Sequence, residues 1–126
     1  MTDSNAITGI VVDAALRIHV KLGPGLMESV YETILERDLR HRGLHVERQK
    51  CISFEFEGLQ FEDACRADLV VQRCVIVEIK SVETLHPQHL KQLLTYVRLL
   101  DYKVGLLLNF GAARMKDGVK RVANSV

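Results

Sequence analysis

Tryptophan is absent from this chain of 126 residues, proline occurs only twice, and no apolar run approaches the roughly 20 residues that a membrane-crossing helix needs. No bilayer span is therefore expected. Cysteine is scarce as well. Cys51, Cys65 and Cys74 are odd in number and show no CxxC spacing, which argues against a disulfide framework or a closed zinc site. All three fall in strand-like stretches, where a free cysteine reads as a small buried hydrophobe. Charge of one sign is missing too, since 17 Lys+Arg against 16 Asp+Glu leave +1. Any nucleic-acid contact must then come from local clustering of cations rather than bulk charge. Three tyrosines and four phenylalanines are too few for an extensive base-stacking surface. The opening MTDSNA has neither a basic n-region nor an apolar h-region, so a cytoplasmic protein is expected.

What the chain does have is apolar material, 48% of its residues, without repeats, low-complexity tracts or a linker. That suits one domain over residues 1–126. Ile7, Ile10, Val11, Ala14 and Ile18 follow helical spacing, with Val12, Leu16 and Val20 widening the stripe, and predict a helix over about 5–22. Ser4 or Asn5 is its expected N-cap. Gly23-Pro24-Gly25 breaks the chain, and a second helix is expected from about Leu26 to His41 with Gly43 as its cap. Its apolar arc comprises Met27, Val30, Tyr31, Ile34, Leu35 and Leu39.

Two acids fall within that arc. Asp38 lies in the last turn, where fraying can return it to water. Glu28 admits two readings: a first-turn acid facing the positive end of the helix dipole, or a core-facing acid that needs a partner.

Alternation in Ile52–Phe56, a Glu57-Gly58 hairpin loop and a return through Leu59 set Phe54 opposite Phe61 and Glu55 opposite Gln60. A third strand is expected over about 66–71, a fourth over 75–80, a helix over about 86–100, a buried strand over 104–109 and an edge strand over 119–122. The expected fold class is α/β (α+β), a mixed sheet flanked by helices.

Glu78 and Lys80 are two apart on an otherwise apolar strand, so both project from one face. An odd-numbered loop that sets Val71 opposite Val75 would place Asp68 opposite Glu78. Two carboxylates and an ammonium held together suit phosphodiester hydrolysis, with the acids on a hard cation such as Mg²⁺ and the lysine acting on the attacking water or on growing phosphate charge. The alternative is a structural strand pair in which Lys80 neutralises Glu78. Crowding of Asp68 and Glu78 would raise one of their pKa values, partly offset by Lys80. His19, His86 and His89 are poorly spaced for zinc and read as structural or phosphate-contacting groups. The late cluster Arg114, Lys116, Lys120 and Arg121 could follow a phosphate backbone or simply be solvated.

The string Gly25-Leu-Met-Glu28-Ser-Val-Tyr31 matches the motif that names the GxxExxY protein family of the PD-(D/E)XK nuclease superfamily. Ile18-His19 with Leu22-Gly-Pro-Gly25, Asp68-Leu-Val-Val, Val75-Ile-Val-Glu78-Ile-Lys80, His89 with Gln92 and Tyr96, and Gly105 to Gly111 resemble that family in order, over about residues 7–122. The resemblance implies a restriction-endonuclease-like αβββαβ core with an extra N-terminal helix. It implies that Asp68 and Glu78 ligate a metal, that Glu28 comes from the first core helix as a third acid, and that Lys80 is the catalytic lysine. Gln92 and Tyr96 resemble the QxxxY element that helps orient the site or the nucleic acid. Ala67 stands where the superfamily's proline would precede the aspartate.

The expectation is a Mg²⁺-dependent nuclease, with Mn²⁺ as a substitute, acting on nucleic acid (DNA favoured over RNA) as a homodimer. The alternative is a nucleic-acid-binding or regulatory module that keeps the fold without turnover. If the second helix packs on the sheet face carrying Asp68 and Glu78, Glu28 should be largely buried beside them.

Overall fold

In the computed structural model, which describes residues 3–124, the chain opens with two helices, α1 (Ser4–Leu22) and α2 (Glu28–His41). Asp3, rather than Ser4 or Asn5, caps α1, its carboxylate accepting the Asn5 N–H at 3.0 Å. Ile7, Val11, Ala14, Ala15 and Ile18 are buried, whereas Leu16 and Val20 face solvent, so the apolar stripe is narrower than the sequence suggested. α2 begins two residues later than expected, and Met27 and Val30 are exposed. Its far end closes with the Gly43 N–H on Arg40 O and the Leu44 N–H on Leu39 O, the five-to-two and six-to-one bonds of a Schellman turn.

The strands are β1 (Val46–Phe56), β2 (Leu59–Val71), β3 (Val75–Lys80), β4 (Val104–Asn109) and β5 (Val119–Ala123), in one sheet in that order. α3 (Pro87–Leu99) crosses between β3 and β4, which pair in parallel, and a single turn, α4 (Met115–Gly118), precedes β5. All other neighbours are antiparallel. The αβββαβ core expected from the sequence is therefore present, with α1 added in front.

The second and third expected strands are one. β2 runs unbroken for 13 residues because it pairs with β1 across irregularities, where Gln49 and Asp63 take positive φ and the register shifts between Ile52 and Phe54. The hairpin itself is as read, with Phe54 opposite Phe61, Glu55 opposite Gln60 and Phe56 opposite Leu59. Its end carries Phe56, Leu59 and Phe61 exposed, because β3 covers β2 only from Leu69 onward.

Two apolar layers sandwich the sheet. α1 and α2 pack on Leu69, Val71, Val77, Ile79 and Leu106, with Tyr31 stacked on Phe110 at 4.4 Å between centroids. α3 packs Leu93 and Val97 on Val70, Ile76 and Leu107. The cysteines are free, and none is fully buried. Cys51 is exposed, Cys65 half-buried, and Cys74 lies in the turn after β2 rather than in a strand. Burial pushes the Cys65 and Cys74 thiols up, away from reactive thiolate.

Asp38 does not return to water. It is buried between helices, bonded by Arg17 from α1 and by Arg42 Nε at 2.6 Å. Burial alone would raise its pKa. The Arg17 and Arg42 hydrogen bonds and charges outweigh it and hold the carboxyl below its usual range. The triad thus contributes stability above the ordinary carboxylate pKa and loses it as pH falls through the lower folded value. Asp38→Asn should cost about 2 kcal/mol in urea unfolding at pH 7. The difference from wild type should shrink below about pH 3; a cost independent of pH would show that the charge is not what holds the helices together.

Candidate active site

β2 and β3 share a three-residue turn, Gln72 to Cys74, and pair as Val71–Val75, Val70–Ile76 and Leu69–Val77. The ladder stops there. Beyond it the strands part, and two backbone N–H groups lose their strand partners. Carboxylates replace the missing carbonyls. Glu78 Oε2 accepts the Asp68 N–H at 2.7 Å, and Asp68 Oδ2 accepts the Ile79 N–H at 2.8 Å. The odd loop brings Asp68 against Glu78, as the sequence suggested, through reciprocal capping at a fork in the sheet.

The fork also disturbs the alternation of β2. Ala67 and Val70 both join the core under α3, although they are an odd number of residues apart. On β3 the alternation is regular, placing Glu78 and Lys80 with Ile76 on the α3 side.

Glu78 is 5% exposed. Burial, then the charge of Asp68, pushes its carboxyl up to about 8, against the Asp68 N–H and the charge of Lys80. Asp68 is raised as well, by burial first and by the charge of Glu32, with the Ile79 N–H, the Gln49 amide and Lys80 opposing. Like-charge crowding operates as expected, but burial is the larger cause. Lys80 makes no ion pair among the described residues, so the neutralising Lys80–Glu78 bridge does not form. Tyr96, half-buried on α3, feels the charges of Glu78 and Asp68, whereas Gln92 on the same helix is exposed.

Glu28 is exposed, not buried, because α2 lays its apolar face on the side of the sheet away from Glu78. As the first residue of the helix it reaches the fork around the open strand ends, where Oε2 accepts the Ser81 N–H at 3.3 Å. The buried acid of α2 nearest the fork is Glu32, one turn on and also 5% exposed; Asp38, the other, lies at the far end of the helix. Arg48 Nε donates to it at 2.6 Å, and Gln49 Nε2 at 3.0 Å. The same Gln49 amide approaches Asp68 Oδ1 at 3.3 Å and so links the helix acid to the strand acid.

Sequence reading missed Glu32, Arg48 and Gln49. Glu32 could have been found, since it lies in the stripe with Tyr31, Leu35 and Leu39. Gln49 could not, because its position depends on a break in β1 at φ +52. Asn109 was missed too. Its buried side chain brackets Val82, accepting the N–H at 3.0 Å and donating to the carbonyl at 2.9 Å, which fixes the chain just past Lys80.

The histidines act structurally where their contacts are defined. His19 Nε2 meets Ala112 O at 2.9 Å, and His86 caps α3 through Nδ1. His89 Nδ1 is buried without a hydrogen-bond partner among the described residues. Burial, then the positive charge of Lys80, lowers its pKa. In the late basic cluster, Arg114 pairs with Asp117 and Arg121 bonds Asn5.

No cluster of three or more His, Cys, Asp or Glu converges as a ready metal cage among the described residues. Asp68 and Glu78 nonetheless present hard oxygen donors side by side, a set that suits Mg²⁺, which takes one or two carboxylates and keeps its waters. It does not suit a structural zinc site, which takes four cysteine or histidine ligands.

Because the ionised form of Glu78 is the one burial disfavours, metal-free stability should fall as pH rises from the ordinary glutamate range toward 8. Glu78→Gln removes that slope. With chelator present, its melting temperature should match wild type near pH 5 and exceed it by about 5 °C at pH 9. Equal midpoints at both pH values would mean that Glu78 ionises without cost.

A family model describing the PD-(D/E)XK nuclease superfamily matches residues 5–122. No curated protein and no solved structure matches the chain significantly. The fork acids, the lysine two residues on and the αβββαβ core fall inside the matched span, and the chain belongs to the PD-(D/E)XK nuclease superfamily.

Proposed function

We propose that the chain is a metal-dependent nuclease of the GxxExxY branch, hydrolysing phosphodiester bonds at the Asp68–Glu78 fork. The observation that carries this reading is the fork itself, a buried Glu78 and a half-buried Asp68 set against one another with no cation paired to either among the described residues. A purely structural role would favour neutral or oppositely charged groups there, since a buried like-charge pair costs free energy. The motif supports the branch assignment. Gly25 takes φ +108, Glu28 reaches the Ser81 N–H, and the Tyr31 hydroxyl donates to Gly23 O at 2.6 Å and accepts the Leu26 N–H at 3.2 Å.

Asp68 and Glu78 would hold Mg²⁺ or Mn²⁺, with Glu28 as a third acid at the rim of the fork. The metal would supply charge to polarise the phosphoryl oxygen and lower the pKa of a bound water. Lys80, free of ion pairs and on the Glu78 face, would orient the attacking water or balance charge developing on the phosphate. Gln49, tied to Glu32, holds the Asp68 carboxylate in place. Tyr96 on α3 would contact the strand being cut.

Two measurements test this. Hydrolysis of labelled single- and double-stranded DNA and RNA should require Mg²⁺ or Mn²⁺, and Glu78→Ala or Lys80→Ala should each lower the rate by about a hundredfold or more. Nucleic-acid binding without cleavage would favour the module reading instead. Separately, Mg²⁺ added at pH 7 should release about one proton per chain and almost none at pH 9.5, because Glu78 is protonated only below about 8. Binding without proton release at pH 7 would count against Glu78 as a ligand.

A further inference from the structure

The loop between α1 and α2 is held unusually firmly for a segment that exposes apolar side chains. Tyr31, buried and stacked on Phe110, bonds both Gly23 and Leu26. Ser81, the residue after Lys80, donates its hydroxyl to Leu26 O at 2.6 Å. The lip is thus fastened to the end of β3 beside the fork. Yet it turns Leu26 (40% exposed) and Met27 (73% exposed) outward. An ordered, solvent-facing apolar pair gains nothing from burial and little from chain freedom, which marks it as a contact surface.

That lip forms one wall of a groove of about 740 Å³ whose other wall carries Arg48, Gln49, Arg66 and Asp68. Arg48 is committed to Glu32, whereas Arg66 is exposed and makes no ion pair or hydrogen bond among the described residues. Apolar contact on one side, a free guanidinium on the other and a candidate catalytic carboxylate between them match a nucleotide of an opened strand. The base would lie on the apolar side and the phosphate on the cationic side.

Resting on the nuclease reading, we propose that this groove takes an unpaired nucleotide of the substrate, its base packed on Leu26 and Met27 and an adjacent phosphate on Arg66, so that single strands are preferred to duplex. A duplex draws its affinity from many phosphate contacts, and the net charge of +1 with a single uncommitted groove cation cannot supply them. A single strand exposes the faces of its bases, and a methionine thioether packs well on an aromatic ring.

The test is fluorescence anisotropy with a labelled mixed-sequence 12-mer, as single-stranded DNA, single-stranded RNA and DNA duplex, in Mg²⁺. The protein is the full chain carrying Glu78→Gln so that nothing is cut. At least one single strand should bind about tenfold or more tighter than duplex. Met27→Ser should weaken that binding about fivefold with an unchanged salt slope, and Arg66→Gln should weaken it similarly while lowering the slope by about one. Both side chains are exposed, and Met27→Ser places a capping hydroxyl at the N-cap of α2, so melting temperatures at or above the parent's are expected and exclude misfolding.

Equal duplex affinity, or Met27→Ser and Arg66→Gln without effect, would overturn the inference even if the wild-type chain cleaves. Single-strand binding that depends on both residues would uphold it even if no hydrolysis is found, in which case the nuclease reading alone fails. No binding to any of the three probes would overturn it.

Discussion

Backbone N–H groups inside a protein must be bonded, and where β2 leaves β3 two of them lose their strand partners. Asp68 and Glu78 meet that demand with their side chains, each capping the main chain of the opposite strand. The separation of the strands and the approach of the carboxylates are therefore one event, and neither persists without the other. The same bonds explain why two acids tolerate close, buried neighbours. Each N–H stabilises an ionised oxygen, and what that leaves uncompensated is relieved by keeping a proton on Glu78.

The rest of the fold supports that fork from both sides of the sheet. α3 closes the face that carries Glu78, bringing Tyr96 near. α2 lies on the other face and cannot point an acid down onto Glu78. It reaches round the open strand ends, with Glu28 on Ser81 and Glu32 tied to Asp68 through Gln49. Asn109 brackets Val82 and sets the level at which β3 ends. Tyr31 performs two tasks at once, its ring packed on Phe110 and its hydroxyl fixing the loop that α2 follows.

Helices, hairpin register and the three-residue turn were legible in the sequence because they depend on local periodicity and turn chemistry. Phe54–Phe61 and Val71–Val75 are cases in point. Asp68, Glu78 and Lys80 were legible for the same reason, since charged residues on apolar strands violate a pattern. What was not legible depends on where elements end in space. Glu28 falls in the apolar arc of α2 by sequence, but at the first position of the helix that arc is not covered, since Met27 and Val30 are exposed as well, so the expected burial does not occur. The 13-residue β2 was split in two because the register shift between Ile52 and Phe54, with Asp63 at positive φ on the facing strand, leaves no trace in hydrophobic alternation. Asp38 looked solvated from its place near a helix end, yet an arginine from a different helix covers it.

Charge balance links the fork to the chemistry proposed for it. Glu32 is offset by Arg48, whereas Asp68, the exposed Glu28 and Lys80 have no ion-pair partner near the fork among the described residues, and burial keeps a proton on Glu78 up to about 8. Had both fork acids been ionised without a cation, their repulsion in a poorly solvated site would strain the hydrogen bonds that define it. A raised pKa on one partner avoids this and leaves the geometry intact. On the nuclease reading, Glu78 would give up its proton in holding a cation, so the local charge would change by less than the cation's own. The folded site thus needs little rearrangement to become competent, which is what preorganisation by rigid strands requires.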